Sequence, residues 1–549
     1  MGGGLIQMVA YGSQDMYLTG NPQITFFKSV YRRHTNFAIE SIKNTVLGTK
    51  NFGGQCYSIM SRSGDLIHKM YLQVKLPSIN LSTGLGSGQF RAFRWLNWIG
   101  HVLINSVEFS IGGQRIDRHT GEWLHLWNEL SQSLENSSTY AEMVGNIPKL
   151  TQIQSSNNSS TDVLTEEYKL YIPLQFWFCR HPGLALPIIA LNNSEIKVDI
   201  EFRNLDECIW ASLQDNNQAS KYGFSNSKNA LPNSSSISLS EVEIYTDYIL
   251  LDTAERRRFS SVQHEYLIEQ VQHNNTGFSI TSNDSEYIFN LNHPVKEMIW
   301  VVQQDNFTES GFTQSRAGRQ YFNYTDAWDY SGFTGTPENY YGPGLGGGRG
   351  NQNIFYGLPT VDVEGAVNTT NATWATNDTA TANASEAGYN NIEFYTVSGG
   401  VNKYNDRTLE HLLGPSNVVP NSGNKVGIWT NTSNSMNFND GGKNPVTHAT
   451  IKLNGNERFS EREGFYFNVI QPYQHHTGSP APGINVYSFA LKPEDYQPSG
   501  TCNFSRIDSS IIHLKVTNAT INTSKLKIYA VNYNILRIMG GNGGLAYSN

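Results

Sequence analysis

Four short stretches in the first half of this chain recur, in the same order, in the second half, and that duplication constrains the fold more than any other feature. Leu66-Ile-His-Lys-Met-Tyr-Leu-Gln-Val74 is echoed by Pro294-Val-Lys-Glu-Met-Ile-Trp-Val-Val302. Ile111-Gly-Gly-Gln-Arg-Ile-Asp-Arg-His119, running on to Gly121-Glu-Trp, is echoed by Leu453-Asn-Gly-Asn-Glu-Arg-Phe459, running on to Gly464-Phe-Tyr-Phe. Tyr171-Ile-Pro-Leu and the later run Glu195-Ile-Lys-Val are echoed by Tyr487-Ser-Phe-Ala-Leu and His513-Leu-Lys-Val. Glu243-Ile-Tyr-Thr-Asp-Tyr-Ile249 is echoed by Lys527-Ile-Tyr-Ala-Val-Asn-Tyr533. Each match is weak alone. Four in order indicate one domain written twice, and a fused pair of equal domains supplies pseudo-symmetry, which is an assembly device.

The chain has 549 residues, too many for one core, and two domains of roughly 200 to 250 residues suit all-β sandwiches. Strict period-two alternation supports that class. In Glu195-Ile-Lys-Val-Asp-Ile-Glu-Phe202 the apolar residues point one way and the charged ones the other, as in Val107–Ile111 and Ile512–Val516. Many such short strands, punctuated by Gly, Pro and Asn, predict sandwiches or jelly rolls. Helical signals are sparse. Trp123, Leu126, Trp127 and Leu130 sit at helical spacing after Gly121, and Asp252-Thr-Ala-Glu255 opens a second helical stretch running to Gln270.

The expected organisation is an N-terminal arm (1–25), a first jelly roll (26–251), an inter-domain linker helix (252–270) and a second jelly roll (271–549). The copies differ mainly in insertions, at about 131–165 and 214–240 in the first and at about 305–445 in the second. So long a segment with little periodicity reads as an exposed loop system or a small subdomain facing outward. In the arm, Leu5, Met8 and Val9 share a helical face.

Composition excludes several classes. Charged residues are only 16% of the chain, against about 25% in ordinary soluble domains, so Asn, Ser, Thr and Gly supply the polarity of turn-rich β structure. The net charge is −8 and the only basic clusters are Tyr31-Arg-Arg-His34 and Glu255-Arg-Arg-Arg258, so there is no electrostatic footprint for nucleic acid. Cys56, Cys179, Cys208 and Cys502 are widely spaced, with neither a disulfide framework nor a zinc pattern. The Met1-Gly-Gly-Gly-Leu-Ile6 opening has no secretory signature and fails the myristoylation pattern at Ile6, and no apolar run is long enough to span a bilayer.

Motifs that could carry chemistry dissolve on inspection. Gly342-Pro-Gly344-Leu-Gly-Gly347 matches GxGxxG without the flanking strand and helix that aim amides at a pyrophosphate. His264-Glu265 has Ile268 where HExxH needs its second histidine. His475-His476 are adjacent, a poor geometry for one ion, and Glu166-Glu167 point to opposite faces of a strand. No catalytic residue, metal site or cofactor is expected. Candidate N-glycosylation sequons begin at Asn306, Asn323, Asn368, Asn371, Asn377, Asn383 and Asn431, most of them in the large insertion. A rival class is a jelly-roll protein that binds or processes carbohydrate. It would need an aromatic platform or converging carboxylates.

The run from Leu5 to Phe37, Leu-Ile-Gln-Met-Val-Ala-Tyr-Gly-Ser-Gln-Asp-Met-Tyr and onward through Phe26-Phe-Lys-Ser-Val-Tyr-Arg-Arg-His34, resembles the opening of major capsid proteins of large nucleocytoplasmic DNA viruses, above all those of algae and protists. Gly112-Gly-Gln-Arg-Ile-Asp117, Pro182-Gly-Leu-Ala-Leu-Pro187, Tyr248–Thr253, His264–Gln270, Gln497–Asp508 and Asn532–Met539 carry the same likeness, as does Gly543-Gly-Leu-Ala-Tyr547. It runs from end to end except through the insertions. The resemblance implies an all-β chain of two tandem eight-stranded antiparallel jelly rolls with long loop insertions and a few short helices. It implies a homotrimeric capsomer of pseudo-hexagonal outline, tiling an icosahedral shell over an internal membrane and assembled in the host cytoplasm. Expected partners are neighbouring capsomers, minor capsid and penton proteins, the membrane side through the N-terminal arm, and a host surface receptor through the large insertion.

Overall fold

The alternating segments become antiparallel strands in a computed structural model that describes residues 2–547 apart from 86–88, 152–153, 158–163, 216–229, 275–276, 309–318, 327–391, 399–400, 403–426 and 432–442. The first half supplies β1 (Phe37–Asn44), β2 (Val46–Gly48), β3 (Gln55–Ile59), β4 (Leu66–Leu76), β5 (Ile104–Ile111), β6 (Gln114–Thr120), β7 (Tyr168–Pro173), β8 (Ile196–Phe202) and β9 (Ser240–Leu251). They form two sheets, ordered β1-β9-β4-β7 and β2-β3-β8-β5-β6, beside a separate three-stranded sheet ordered Ile209–Asp215, Gln89–Trp95, Gln154–Asn157 and a short pair of Ile79–Asn80 with Leu164–Thr165. The second half supplies β10 (His264–His273), β11 (Asp284–Ile288), β12 (Pro294–Gln304), β13 (Val446–Leu453), β14 (Asn456–Glu457), β15 (Ile484–Ser488), β16 (Ser510–Val516) and β17 (Ser524–Met539). Their sheets run β10-β17-β12-β15 and β11-β16-β13-β14, with a few two- to four-residue strands paired at the margins. With the three-residue β2 set aside, one order is written twice.

The equivalence reaches individual residues. Met70 of β4 faces Thr246 of β9, and the echoed Met298 of β12 faces the echoed Ala530 of β17. Both β5-β6 and β13-β14 turn through a two-residue loop with positive φ at both positions, 57° and 81° at Gly112 and Gly113 and 49° and 80° at Asn454 and Gly455. That is the type I′ geometry matching the twist of paired strands, and it explains why glycine and asparagine recur there. The third echo is different. Tyr171 and Tyr487 lie on equivalent strands but three places apart in register, since Tyr171 faces Gln73 and Tyr487 faces Met298. There the alternating pattern repeats and the residue alignment does not.

Each sandwich closes on its own core. Met70, Leu72, Val74, Phe109, Val198 and Ile244 belong to the first, and Met298, Trp300, Ile451, Phe467, Ile512 and Ile528 to the second. Strands β8 and β16 alternate buried and half-buried residues along their whole length, as their sequences predict.

Three helices matter here. α1 (Gly3–Val9) lies in an N-terminal arm exposed along residues 2–36, with Leu5, Met8 and Val9 each more than half exposed. α2 (Gly121–Ser131) is the helix expected from Trp123, Leu126, Trp127 and Leu130. α3 (Thr253–Ser261) corrects the expected linker helix 252–270, because the helix stops at Ser261 and residues 264–273 form β10. The sequence from His264 is mixed in polarity but carries β-favouring Tyr266, Ile268 and Val271, and pairing ten residues with β17 outweighs extending a charged, solvent-exposed helix. Within the expected 131–165 insertion, Leu134–Val144 is also helical, anchored by buried Tyr140 and Val144. Much of the expected 305–445 insertion lies outside the described residues. Its described parts include a three-stranded ribbon of Ile392–Ser398, Val401–Asn402 and Gly427–Asn431.

Candidate assembly interface

The surface that distinguishes this chain from two beads on a string is where the halves meet, and α2 makes it. Thr120 caps the helix by accepting a hydrogen bond from the Trp123 amide at 3.1 Å. The helix is apolar on two sides because it serves two cores. Leu124 joins the first core, while Trp123, Leu126, Trp127 and Leu130 lie on the outer face of the second half's β10-β17-β12-β15 sheet. All four strands of that sheet contribute, through Val271, Val531, Ile299 and Val486 among others, and Trp123 stacks on Tyr529 with ring centroids 6.0 Å apart. Every residue of β12 after Pro294 is therefore buried, one face in its own core and the other beneath α2.

Charged groups fix the register of this junction. Glu122 accepts hydrogen bonds from the Tyr529 hydroxyl at 2.6 Å and from Lys527 at 2.8 Å, and Lys527 also donates to Gln303. Burial pushes the Glu122 carboxyl up, but Lys527, Tyr529 and Arg203 together outweigh it and hold the group below the usual carboxylate range. Arg180 lies over the Trp127 ring at 4.1 Å and pairs with Glu269. Glu269 also takes the fully buried Lys296 at 2.5 Å. Burial lowers the Lys296 pKa, and the neighbouring carboxylates Glu269 and Glu297 oppose that shift. At the sheet edge the Gln270 amide donates to the Ile116 carbonyl, and the Val271 N–H donates to Asp117 at 3.1 Å. Near the C-terminus the Asn193 N–H donates to Gly541 at 2.9 Å and the Gly543 N–H donates to Ser194 at 3.2 Å.

The adjacent histidines have structural partners. His475 contacts the Leu491 carbonyl, whereas the His476 ring is buried between Glu297 at 3.2 Å and Glu494 at 3.0 Å. Burial disfavours the imidazolium, yet the two carboxylates prevail and raise its pKa to about 9. Among the described residues no group of three His, Cys, Asp or Glu side chains is placed to hold a metal ion. His264 sits in β10, its ring bonded to the Phe259 carbonyl at 2.7 Å. Glu166 and Glu167 diverge, to Lys149 and Lys75. Burial raises the Cys56 thiol to about 11 and the Cys179 thiol to about 12, so both stay protonated and inert. The GxGxxG stretch at 342–347 lies outside the described residues.

Of the candidate glycosylation sites, Asn323 is a correction. It is buried, donates to Gln320 at 2.6 Å and accepts from the Thr325 N–H and hydroxyl, so the sequon serves as a turn and its amide is not offered to a glycan. Asn306 falls in the short helix Asp305–Thr308 and Asn431 ends the strand Gly427–Asn431. Asn368, Asn371, Asn377 and Asn383 lie outside the described residues. Trp95, Trp123, Trp127, Trp177, Trp210 and Trp300 are buried and Trp98 is half-buried, so these tryptophans serve packing more than an open aromatic platform.

Two jelly rolls locked together by a buried helix and internal ion pairs define a protein of the double jelly-roll class. Comparison with known proteins gives the family. Residues 25–252 match the major capsid protein N-terminus and residues 255–544 match the large eukaryotic DNA virus major capsid protein. The chain is 43% identical to the major capsid protein of Phaeocystis pouchetii virus and 40% identical to that of Chrysochromulina ericina virus, in both cases over the whole of both chains. Among solved structures it resembles the subunit of the PBCV-1 virus capsid, with 29% identity, a TM-score of 0.56, and coverage of 96% of this chain and all of that one. The Faustovirus major capsid protein, at 12% identity, shares the fold with a TM-score of 0.57, covering 96% of this chain and 94% of that one. The chain belongs to the major capsid protein family of large eukaryotic DNA viruses: it is a structural component of the virion shell and not an enzyme.

The sequence pointed to the α2 aromatics but missed Arg180, Glu269, Lys296 and Lys527. One signal was available. Lys296-Glu297 interrupts an otherwise apolar strand, and charges inside such a strand imply buried partners.

Proposed function

We propose that the chain assembles as a homotrimer whose six jelly rolls form a pseudo-hexagonal capsomer of an icosahedral shell. The observation that carries this reading is the strand-for-strand, register-matched repetition of one sandwich. Three chains then offer six nearly equal wedges, so a single gene product fills a hexagonal lattice. Domain limits near 26–251 and 264–549, the second moved to the start of β10, with the arm at 1–25, fit this arrangement. The purified protein should have the native mass of a trimer and a hexagonal outline in negative stain; a monomer would refute the proposal.

The arm is assigned to contacts beneath the capsomer, with neighbouring capsomers, minor capsid and penton proteins or the internal membrane side. Its continuous exposure, Tyr17, Leu18, Phe26 and Phe27 included, supports a segment that is buried only on assembly. Trimers lacking residues 1–22 should form without building shells, and normal shells would refute the assignment. The 305–445 insertion is assigned to the outer surface, where a host receptor and any glycans would be met, with assembly in the host cytoplasm. Replacing residues 310–440 by a short loop should spare the trimer and change cell binding; loss of the trimer would make the insertion structural.

A further inference from the structure

The interface made by α2 inside the chain has a second half that the chain cannot complete alone. The counterpart of α2 in the second roll is the helical segment formed by a π turn, Tyr466–Ile470, and an α turn, Gln471–His475. Two features support the match. Gly121 and Gly464 each open a helix where a Cβ would meet backbone: on Gly121 it would collide first with the carbonyl of His101 and then with that of Ile104, and on Gly464 with that of Val446, so the approach to the strand start is shared and the one to His101 is not. Ile104 and Val446 are the register-equivalent first residues of β5 and β13. Three positions on, Leu124 enters the first core and Phe467 the second.

The other faces of the two helices meet opposite fates. Trp123, Leu126 and Leu130 are fully buried, whereas their counterparts Tyr466, Val469 and Tyr473 run from half-buried to exposed, with Tyr473 at 87% and Phe465 beside them at 62%. Among the described residues, the sheet that would receive them is only partly covered. Where the second sheet presents Ile299, Ile484 and Tyr529 to α2, the register places Tyr71, Tyr171 and Tyr245 on the outer face of β1-β9-β4-β7. These three tyrosines are half-buried or exposed. The helix and the face belong to opposite rolls of one chain, just as α2 and its sheet do.

We propose that residues 465–475 of one copy dock on the tyrosine-bearing outer face of β1-β9-β4-β7 of the next copy, repeating between chains the contact that α2 makes within one. The occupant is a second copy of this chain, because the geometry of the partner surface is already present as the internal junction. The chemistry differs in one respect. Glu122 and Lys527 are replaced by Phe465 and Glu243, and Glu243 is already paired with Lys43, as Lys75 and Lys169 are with Glu241 on the same face, so no buried ion pair like Glu122–Lys527 is needed here and the tyrosines sit among charges that are already matched. Aromatic and tyrosine-rich surfaces suit a contact that must be wet before assembly and dry after it.

This inference rests on the trimer proposed above, and its test separates the two. Val469→Asp and Tyr473→Asp, both at exposed positions, are purified with the wild type. Each should move the native mass from trimer to monomer with an unchanged circular dichroism spectrum. Independently, Tyr466→Cys combined with Tyr245→Cys, in a Cys502→Ser background and treated with a short bismaleimide, should give covalent dimers and trimers that neither single cysteine gives. A trimeric wild type whose aspartate variants remain trimers and whose double-cysteine form does not cross-link would overturn the docking and leave the trimer standing. A monomeric wild type would overturn both.

Discussion

Neutralising His476 should loosen the second jelly roll at alkaline pH, by an amount the geometry sets. The ring is enclosed between Glu297 on β12 and Glu494 on the loop after β15, with Lys296, Arg180 and Glu269 beyond. Its pKa is about 9 in the folded chain. In the unfolded chain it returns to roughly 6.5, so about 2.5 pH units separate the states, or about 3 kcal/mol at 1.36 kcal/mol per unit. A raised histidine pKa means that the folded state holds the proton more tightly. The stabilisation is therefore complete below about pH 6.5 and drains away as pH rises towards 9.

The assay is thermal unfolding at pH 6 and at pH 9.5, for the wild type and for His476→Gln. The difference between the two proteins isolates this group from every other titration. At pH 6 the variant should melt lower by roughly 6–12 °C, at about 2–4 °C per kcal/mol for a unit of this size. At pH 9.5 the gap should narrow to a small remainder, because the wild type has itself lost the charge. A gap of the same size at both pH values would show that the ring acts by packing alone and that its proton is not shared with Glu297 and Glu494.

Three further outcomes follow from the junction and its equivalents. Lys527→Met should cost about 3–5 kcal/mol, because it strips Glu122 of its main cation inside the protein; denaturant titration of the full chain checks it, and Glu122→Gln added to Lys527→Met should recover part of the loss. Trp127→Ala removes a buried ring from beneath Arg180 and should cost about 3–5 kcal/mol. Hydrogen exchange should then rise in β12 and β17 ahead of the first core. Asn454→Ala should lose about 1–3 kcal/mol, through a left-handed backbone without asparagine and two lost hydrogen bonds to the amides of Asp508 and Ser509, whereas Gly112→Asn should be tolerated at the equivalent position of the other turn.

What the sequence disclosed was whatever a local pattern can encode. Alternation marked β8 and β16, and Trp123, Leu126, Trp127 and Leu130 marked α2. Both type I′ turns are encoded as Gly-Gly and Asn-Gly inside the second echoed stretch, which the sequence showed as a repeat and not as a pair of turns. Local pattern misled at His264, where a run continuing a well-started helix became β10 because its partner β17 lies more than 250 residues away. It misled again at Asn323, a textual sequon whose burial depends on Gln320 and Thr325. The ion pairs of the junction were hidden for the same reason. Arg180 and Glu269 meet only after both sandwiches have folded and docked, and nothing within a dozen residues of either announces the other.

The two outer faces also differ in a way that duplication alone does not explain. Strand order and core register are kept, as Met70 against Thr246 and Met298 against Ala530 show. Yet Ile299 and Ile484 on one outer face stand where Tyr71 and Tyr171 stand on the other. The difference has a physical reason. The face under α2 is covered by its own chain, so its neighbour is tethered and never absent for long; an aliphatic surface there is never left wet in the folded protein. A face that waits for another molecule must tolerate water for as long as the subunit is free, and tyrosine, with an apolar ring and a hydroxyl that water can satisfy, does so without becoming an aggregation site. The cores change residue, Leu72 against Trp300 and Phe109 against Ile451, but stay apolar because packing constrains both copies alike. On the proposed assembly, the outer faces diverge because one contact is intramolecular and the other has to be found. On this argument, replacing Tyr71 and Tyr171 by the isoleucines of the other face should strengthen the trimer and lower the solubility of the free subunit, and an unchanged solubility would refute it.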